Sequence, residues 1–492
     1  MKLVHNAVAN ALGGIIPGLA MLATLPFTVH YLGTADYGLL ALIASIVGYF
    51  ALIDINVTSG VIKFIAEFRA QGDSRSESGV VVLALIVALI IGVIGCAGIL
   101  LFAEPIMTRV FQVPADRIGS GVAALQIAAF GFFFGQILQY LQSLPQALQR
   151  YALSATVESV FGVLVPILTV IVLFLGKGLE EVVLLRVACS VANVIVLIWL
   201  CRPLFPLFEW RLPQRPLVRQ VLSFSGFAYL SRLAALTYAH ADKLIIGAAL
   251  GMTAVAYFSI AATLAARILS ITFRLSWIMY PAASALAATG QWEKLKDAYF
   301  NTARYVFSIN AGVVLLIALF SREIIHYWMG AEFAAYGDWV MVLTALGMLI
   351  DSLTNLPTLI NDGLGHARVS GLFAFARAWV GVALILAFVD PYGINGAATA
   401  HLLASAIMTT LFVCYVHGRT VPFRLSEVLS SAYFRPSLVL LGVASASALL
   451  RPERTLSVTE VLVLGSILTL TYVAASLLFV VRREHFPAAL RS

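Results

Sequence analysis

Apolar residues in this chain come in long runs separated by short polar stretches, and those runs predict the architecture. Val80-Val81-Val82-Leu83-Ala84-Leu85-Ile86-Val87-Ala88-Leu89-Ile90-Ile91 is continuous, not alternating, so it reads as helix and excludes the in-out pattern of a membrane barrel. A helix needs ~20 such residues to cross the hydrocarbon core. By that measure the pattern predicts fourteen helices, near 6–30, 37–62, 80–103, 118–148, 152–175, 182–201, 220–247, 254–283, 304–320, 338–365, 368–389, 393–417, 436–450 and 457–481. The polar pieces between them are short, which leaves no room for an inserted soluble catalytic domain.

Composition agrees. The 492 residues are 61% hydrophobic and 11% charged, with a mean hydropathy of +0.96. That much apolar surface cannot be hidden in water-surrounded cores, so the chain is read as an all-α, polytopic integral membrane protein. Cys96, Cys189, Cys201 and Cys414 lie in or beside apolar segments without metal-ligand spacing, so neither a disulfide framework nor a metal site is expected. The first apolar run leads into further spans without a convincing cleavage region and reads as an uncleaved first helix.

Basic residues orient the helices. The N-terminus, the even-numbered loops and the C-terminus carry nineteen Lys and Arg, whereas the odd-numbered loops carry six. The positive-inside rule then places both termini in the cytoplasm, which requires an even number of spans. The net charge of +7 mostly reflects this bias and says little about an acidic partner. Six cations remain inside predicted helices: Arg186, Arg232, Lys243, Arg267, Arg274 and Arg377. Charge at that depth costs ~2.5–3.5 kcal/mol per residue unless it meets water, a partner or an interface.

A faint internal repeat aligns Leu32-Gly33-Thr34-Ala35-Asp36-Tyr37-Gly38-Leu39 with Leu250-Gly251-Met252-Thr253-Ala254-Val255-Ala256-Tyr257. The offset divides the chain into a six-helix half at 1–219, a second at 220–417 and a two-helix segment at 418–492, and it suggests a binding site between the halves.

The first of those stretches, with Leu144-Pro145-Gln146-Ala147-Leu148-Gln149-Arg150, Trp328-Met329-Gly330-Ala331-Glu332-Phe333 and Tyr392-Gly393-Ile394-Asn395-Gly396-Ala397-Ala398-Thr399-Ala400, resembles the polysaccharide-exporter family. These are Wzx-like flippases of lipid-linked oligosaccharides in the multidrug/oligosaccharidyl-lipid/polysaccharide (MOP) superfamily. The likeness runs in order along essentially the whole chain; Ala256 stands where many relatives look Gly-like. The resemblance implies two bundles in a V around a cavity that opens alternately to cytoplasm and periplasm. It also implies a cargo of short glycan on undecaprenyl diphosphate, whose tail stays in lipid, and possible glycan polymerase partners.

The residues suit such a cargo, because a diphosphate crossing a low-dielectric medium needs fixed positive charge and the planar fork of Arg binds phosphate oxygens bidentately. Arg267 and Arg274, seven residues apart, return to one helix face, and so do Arg232 and Lys243, eleven apart. Arg232 and Arg267 fall near mid-span, where a cavity role competes with a structural ion pair. Lys243 and Arg274, nearer helix ends, suit snorkelling as well as substrate contact. Arg186 reads as an interfacial anchor, and Arg377 either serves the second half's cavity or pairs with Asp351. Gln136, Gln139, Gln142, Gln146 and Gln149 form a neutral series on one helix, of the kind that reads sugars or glues helices together, with Gln139 and Gln142 the cavity candidates.

Asp54, Glu158, Asp242 and Asp351 are the candidates for coupling to an H⁺ or Na⁺ gradient, since a carboxyl poised between burial and nearby cations can bind and release either. Asp242 points about 100° away from Lys243 on a helix, so it is expected to pair with an arginine elsewhere. Asp351, Asn355, Thr358 and Asp362 share a face interrupted by Pro357. No catalytic motif is present: there is no Gly-x4-Gly-Lys-Ser/Thr phosphate loop, no His-Glu-x2-His zinc site and no Asp-x-Asp pair. No cofactor, metal or nucleic-acid partner is expected. The sequence therefore points to a secondary transporter in a bacterial inner membrane flipping lipid-linked repeat units for O-antigen, capsule or exopolysaccharide. A cation-coupled multidrug exporter and a peptidoglycan-precursor flippase are the rivals within the superfamily, and a membrane glycan polymerase or ligase is the rival from another class.

Overall fold

The computed structural model describes residues 2–54, 57–111, 113–206, 208–276, 279–451 and 454–481, with side chains except at 2–15, 57, 59, 222–228, 230, 231, 267–275, 281 and 450. Among these residues the fold is helical, without strands. The chain divides into two compact units, Met1–Ala256 and Tyr257–Ser492. The first holds α1 (Lys2–Leu32), α2 (Thr34–Phe50), α3 (Val57–Gln71), α4 (Ser74–Pro105), α5 (Ala115–Ala147), α6 (Tyr151–Phe174), α7 (Leu179–Cys201) and α8 (Arg215–Leu250). Then come α9 (Met252–Ser276), which begins in the first unit, α10 (Met279–Ala288), α11 (Trp292–Met329), α12 (Ala331–Gly363), α13 (Ala367–Arg419), the short α14 (Leu425–Val428), α15 (Phe434–Leu450) and α16 (Val458–Phe479). The boundary lies within α9, so α8 belongs to the first unit, where it packs on α2, α3 and α4.

Each predicted span falls mainly on helix. Eleven helices among the described residues are long and apolar enough to cross a membrane, and Ile16–Leu32 and Met252–Ala266 are shorter apolar helices. At ~1.5 Å per residue, α13 would be ~80 Å long, more than twice the hydrocarbon thickness; it breaks at Gly393 (φ 60°) into the two arms that the sequence predicts separately. The span predicted at 37–62 is not continuous. It leaves α2 through a 3₁₀ turn at Ala51–Ile53, becomes extended at Asp54 (φ −78°, ψ 110°), and resumes as α3. The span predicted at 254–283 is covered by α9 and α10, with residues 277 and 278 between them outside the described residues.

The faint repeat is a backbone feature. Gly33 (φ 86°) and Gly251 (φ 83°) both take the left-handed conformation one residue ahead of a helix, where a side chain would be strained. The other three stretches that carry the family resemblance also contain a left-handed residue at a helix boundary, Gln149, Gly330 and Gly393. Asp73 caps α4 by accepting the Ser76 N–H (3.0 Å), and hydrogen bonding from Ser76, its side chain first and its backbone second, holds the carboxyl below the usual range.

Each unit contains a tightly buried cluster of apolar side chains. In the first, Phe64, Ile65, Val80, Leu83, Leu144, Leu197, Leu204 and Val221 interlock. In the second, Leu295, Tyr299, Phe300, Leu356, Ile360, Phe412, Val416 and Phe423 do so. His417 is buried there: its Nδ1 faces the Phe423 carbonyl (2.9 Å), which only accepts, so Nδ1 carries the proton and Nε2 accepts from the Tyr299 hydroxyl (3.0 Å). Elsewhere, large apolar side chains such as Leu101, Phe174, Leu449 and Leu478 are exposed, as a lipid-facing surface requires.

The terminal pair α15–α16 is fastened to α11. Tyr472 donates to the Ser308 carbonyl (2.8 Å), fitting beside Gly312, where a Cβ would lie 2.7 Å from its ring. In the turn that leads into α15, the Ser431 carbonyl accepts from Arg304 of α11. Glu323, 1% exposed, receives Arg451 Nη2 at 3.0 Å on both carboxylate oxygens and also the Leu456 N–H (3.4 Å).

Candidate functional site

The break between α2 and α3 creates the polar site of the first unit. Ending a helix within a span leaves carbonyls without partners, and α8 supplies one: Tyr229 Oη donates to the Leu52 carbonyl (2.7 Å). One turn further along α8, Arg232 Nη2 lies 2.9 Å from Asp54 Oδ2 and donates to Gln139 Oε1 of α5 (3.1 Å). Arg232 is ~26 Å from the start of α8 at ~1.5 Å per residue, so it lies deep in the helix. The carboxylate of Asp54 is 7% exposed and the Arg232 side chain 19%. Arg232 Nε is buried and hydrogen-bonded to nothing among the described residues.

Beside this pair is a cavity of about 20 Å³ lined by Asp54, Thr58, Gln136, Gln139, Tyr140 and Ser143 together with apolar residues of α4. That is room for about one water, in a setting with the polar partners a water needs. The α2–α8 contact positions the site. A Cβ on Gly48 would come within 2.5 Å of the His240 ring, and one on Gly247 within 2.8 Å of Leu42, so the helices approach through their glycines.

The second unit carries a parallel arrangement. Arg377 of α13 is ion-paired with Asp351 of α12, and its Nη2 donates to Ser405 Oγ (3.1 Å). Asp351, Asn355, Thr358 and Asp362 are all half-buried, while Leu356, Pro357, Leu359, Ile360 and Asn361 on the other side of α12 are buried. Asn361 Nδ2 ties the end of α12 to the start of α13 by donating to the His366 carbonyl and Ser370 Oγ, both at 2.9 Å.

The structure thus brings together Arg232, Asp54 and Gln139, and pairs Arg377 with Asp351. Asp242, Glu158 and Gln142 lie apart from both pairs. Asp242 pairs with its neighbour Lys243 (3.3 Å), not with an arginine on another helix, because the long lysine stem folds back until Nζ also reaches the Ala239 carbonyl (3.2 Å). Glu158 is exposed on α6, and Gln142 is half-buried and outside the cavity lining. Arg267 and Arg274 lie on α9, but their side chains are outside the described residues. Arg186 is half-buried on α7. Among the described residues no group of three or more His, Cys, Asp or Glu is placed to hold a metal ion. Ser405 and Tyr229 were not legible as site residues, since a hydroxyl in an apolar run carries no signal of its own.

Comparison with known proteins gives these contacts a setting. Residues 3–287 match the family described as "Polysaccharide biosynthesis protein". A Shigella flexneri protein named "Putative O-antigen transporter" is 20% identical over 421 residues, covering 85% of this chain and 98% of its own. The "Uncharacterized membrane protein EpsK" of Bacillus subtilis is 19% identical over 432 residues, 85% of this chain and 84% of its own. Among solved structures, the lipid II flippase MurJ in an inward closed conformation superposes with a TM-score of 0.72 at 12% identity, over 96% of this chain and 98% of its own. An inward-facing multidrug resistance MATE family transporter of the MOP superfamily gives 0.69 at 16% identity, over 86% and 96%. At such identities these likenesses establish the fold alone, which the chain shares with MurJ and the MATE transporter. With more than half of its length matched, the chain belongs to the polysaccharide biosynthesis protein family.

Proposed function

We propose that the protein is a secondary transporter that flips undecaprenyl-diphosphate-linked oligosaccharide repeat units across the bacterial inner membrane. The units would feed O-antigen, capsule or exopolysaccharide synthesis. It works by alternating access, coupled to an H⁺ or Na⁺ gradient, with both termini in the cytoplasm. The observation that supports this most is Arg232: a guanidinium deep in a membrane protein of this family, with Gln139 beside it and a buried nitrogen still to be satisfied. A diphosphate is the ligand such a group suits, and an amide next to it suits a sugar hydroxyl. The acids that would attract an organic cation, Asp54 and Asp351, each already hold an arginine, which weighs against the multidrug alternative. A peptidoglycan-precursor flippase is the second reading, favoured by the likeness of fold to MurJ and by the same charge logic.

Deleting the gene and measuring lipid-linked repeat units against surface polysaccharide tests the proposal, with complementation by wild type and by Arg232→Ala. Repeat units should accumulate and surface polymer should fall, and normally expressed Arg232→Ala should fail to rescue. Accumulation of the peptidoglycan precursor instead would favour the second reading. Unchanged glycan pools with altered export of cationic drugs would overturn both.

A further inference from the structure

We propose that Asp54 and Asp351 are internal stand-ins for the anionic group of the cargo: each occupies the guanidinium that would otherwise receive the diphosphate, so that loading exchanges one ion pair for another. This rests on the diphosphate reading above and adds to it the identity of the competing group.

The geometry of the first pair is that of an occupied but unsaturated anion site. Asp54 and Gln139 both contact the same nitrogen of Arg232, Nη2, and the buried Nε is left without a partner among the described residues. A saturated pair looks different in this protein: Arg454 grips Glu460 through Nη1 and Nη2, each on its own oxygen. Arg232 thus retains donor capacity that one carboxylate oxygen does not use, and a phosphate group with several oxygens can take two nitrogens of the fork together. Asp54 also has somewhere to go. It stands on the extended residue between two helical segments and borders the cavity that Thr58, Gln136 and Ser143 line with hydrogen-bonding groups. The second unit has the same three-part composition, with Arg377 held by Asp351 and by the neutral oxygen of Ser405.

Two functional consequences follow. With no cargo bound, the arginines are neutralised, so a positive charge is not left bare at depth. With cargo bound, the displaced carboxylate waits beside the site and recloses on the arginine as the diphosphate leaves, which opposes trapping. Removing the carboxylate should therefore tighten binding and slow turnover together.

The test uses the full chain in lipid nanodiscs, with farnesyl diphosphate as the probe and farnesol as the uncharged control. Wild type should prefer the diphosphate, Arg232→Gln should lose that preference, and Asp54→Asn should bind the diphosphate about tenfold tighter than wild type, a change of one decade in Kd. Asp54→Glu, which keeps the charge, should bind as wild type does. In the deletion strain, Asp54→Asn should restore surface polysaccharide poorly despite normal amounts of protein. If Asp54→Asn proves unstable, Asp351→Asn gives the same readout in the other unit. Equal affinity of wild type and the asparagine variants, with Arg232→Gln weakened, would overturn the stand-in role and leave the diphosphate site intact. Absence of any preference of wild type for farnesyl diphosphate over farnesol would sink the diphosphate site and the stand-in role together.

Discussion

Glu323 shows at the scale of one residue how little a charge says about its place. In the chain it follows Arg322 and looks like part of a solvated loop, yet it is one of the most buried acids in the described structure. Its charge is satisfied by Arg451 and by the Leu456 N–H. Removing one partner of such a pair leaves the other uncompensated, so Arg451→Ala should cost about 3 kcal/mol, read as a lower unfolding midpoint in detergent. Glu323→Gln should cost less, because the amide oxygen still accepts the Leu456 N–H. Tyr299→Phe is the contrasting case: it removes a neutral hydrogen bond to His417 Nε2 and should cost about 0.5–1.5 kcal/mol in the same measurement. A Tyr299→Phe variant as damaging as Arg451→Ala would show that the hydroxyl orders the whole His417 turn. Arg232 and Asp54 were visible as candidates because any charge in an apolar run stands out, but their pairing was not. They are separated by some 180 residues of chain, and no local spacing links them.

Among the helices, the start of α2 is held by close backbone approach. A Cβ on Gly38 would lie 1.9 Å from the Met252 carbonyl oxygen and 3.4 Å from the Ala256 Cβ. A side chain can rotate away from a clash, but a carbonyl at the start of α9 cannot move without its helix. Gly38→Ala should therefore destabilise the fold by about 1–3 kcal/mol, seen as reduced thermal stability and lower yield of folded protein. Gly18→Ala, whose Cβ would meet nothing within 4 Å, is the control expected to be near neutral. Gly38 and Ala256 occupy equivalent positions in the repeat, so the weak Leu-Gly match marks a place where two small residues allow backbone contact. The hydrophobic pattern predicted these helices well, since lipid forces the backbone to satisfy itself within each segment. It missed the interruption at Asp54, because Ala51-Leu52-Ile53 is as apolar as the helix before it and the break is stabilised from α8.

For the molecule as a whole, charge asymmetry and apolar length set the expectations. Nineteen basic residues on one set of loops and six on the other lead to a topology in which reporter fusions at both ends of the chain are active only in the cytoplasm. A periplasmic signal from one end would require an odd number of crossings and would remove one of the fourteen spans. The terminal pair α15–α16 is apolar and mostly exposed, yet Tyr472 of α16 and Arg451 at the end of α15 bind it to α11. Truncation after residue 424 should accordingly leave Glu323 and the Gly312 face without partners and lower the yield of folded protein, not merely trim a peripheral hairpin.

Composition and run length alone determined that this is a helical membrane protein, because a bilayer offers the polar backbone no hydrogen-bond partners but its own. The turn motifs went further, to the family, since each holds a left-handed residue that helix boundaries demand. Which intramembrane charges meet was decided only by tertiary structure. Helical periodicity assigns a residue to a face, but which neighbouring face it meets depends on packing between helices far apart in the chain. Hence Asp54 meets Arg232 and Gln139, Asp351 meets Arg377, and Asp242 turns to the lysine beside it.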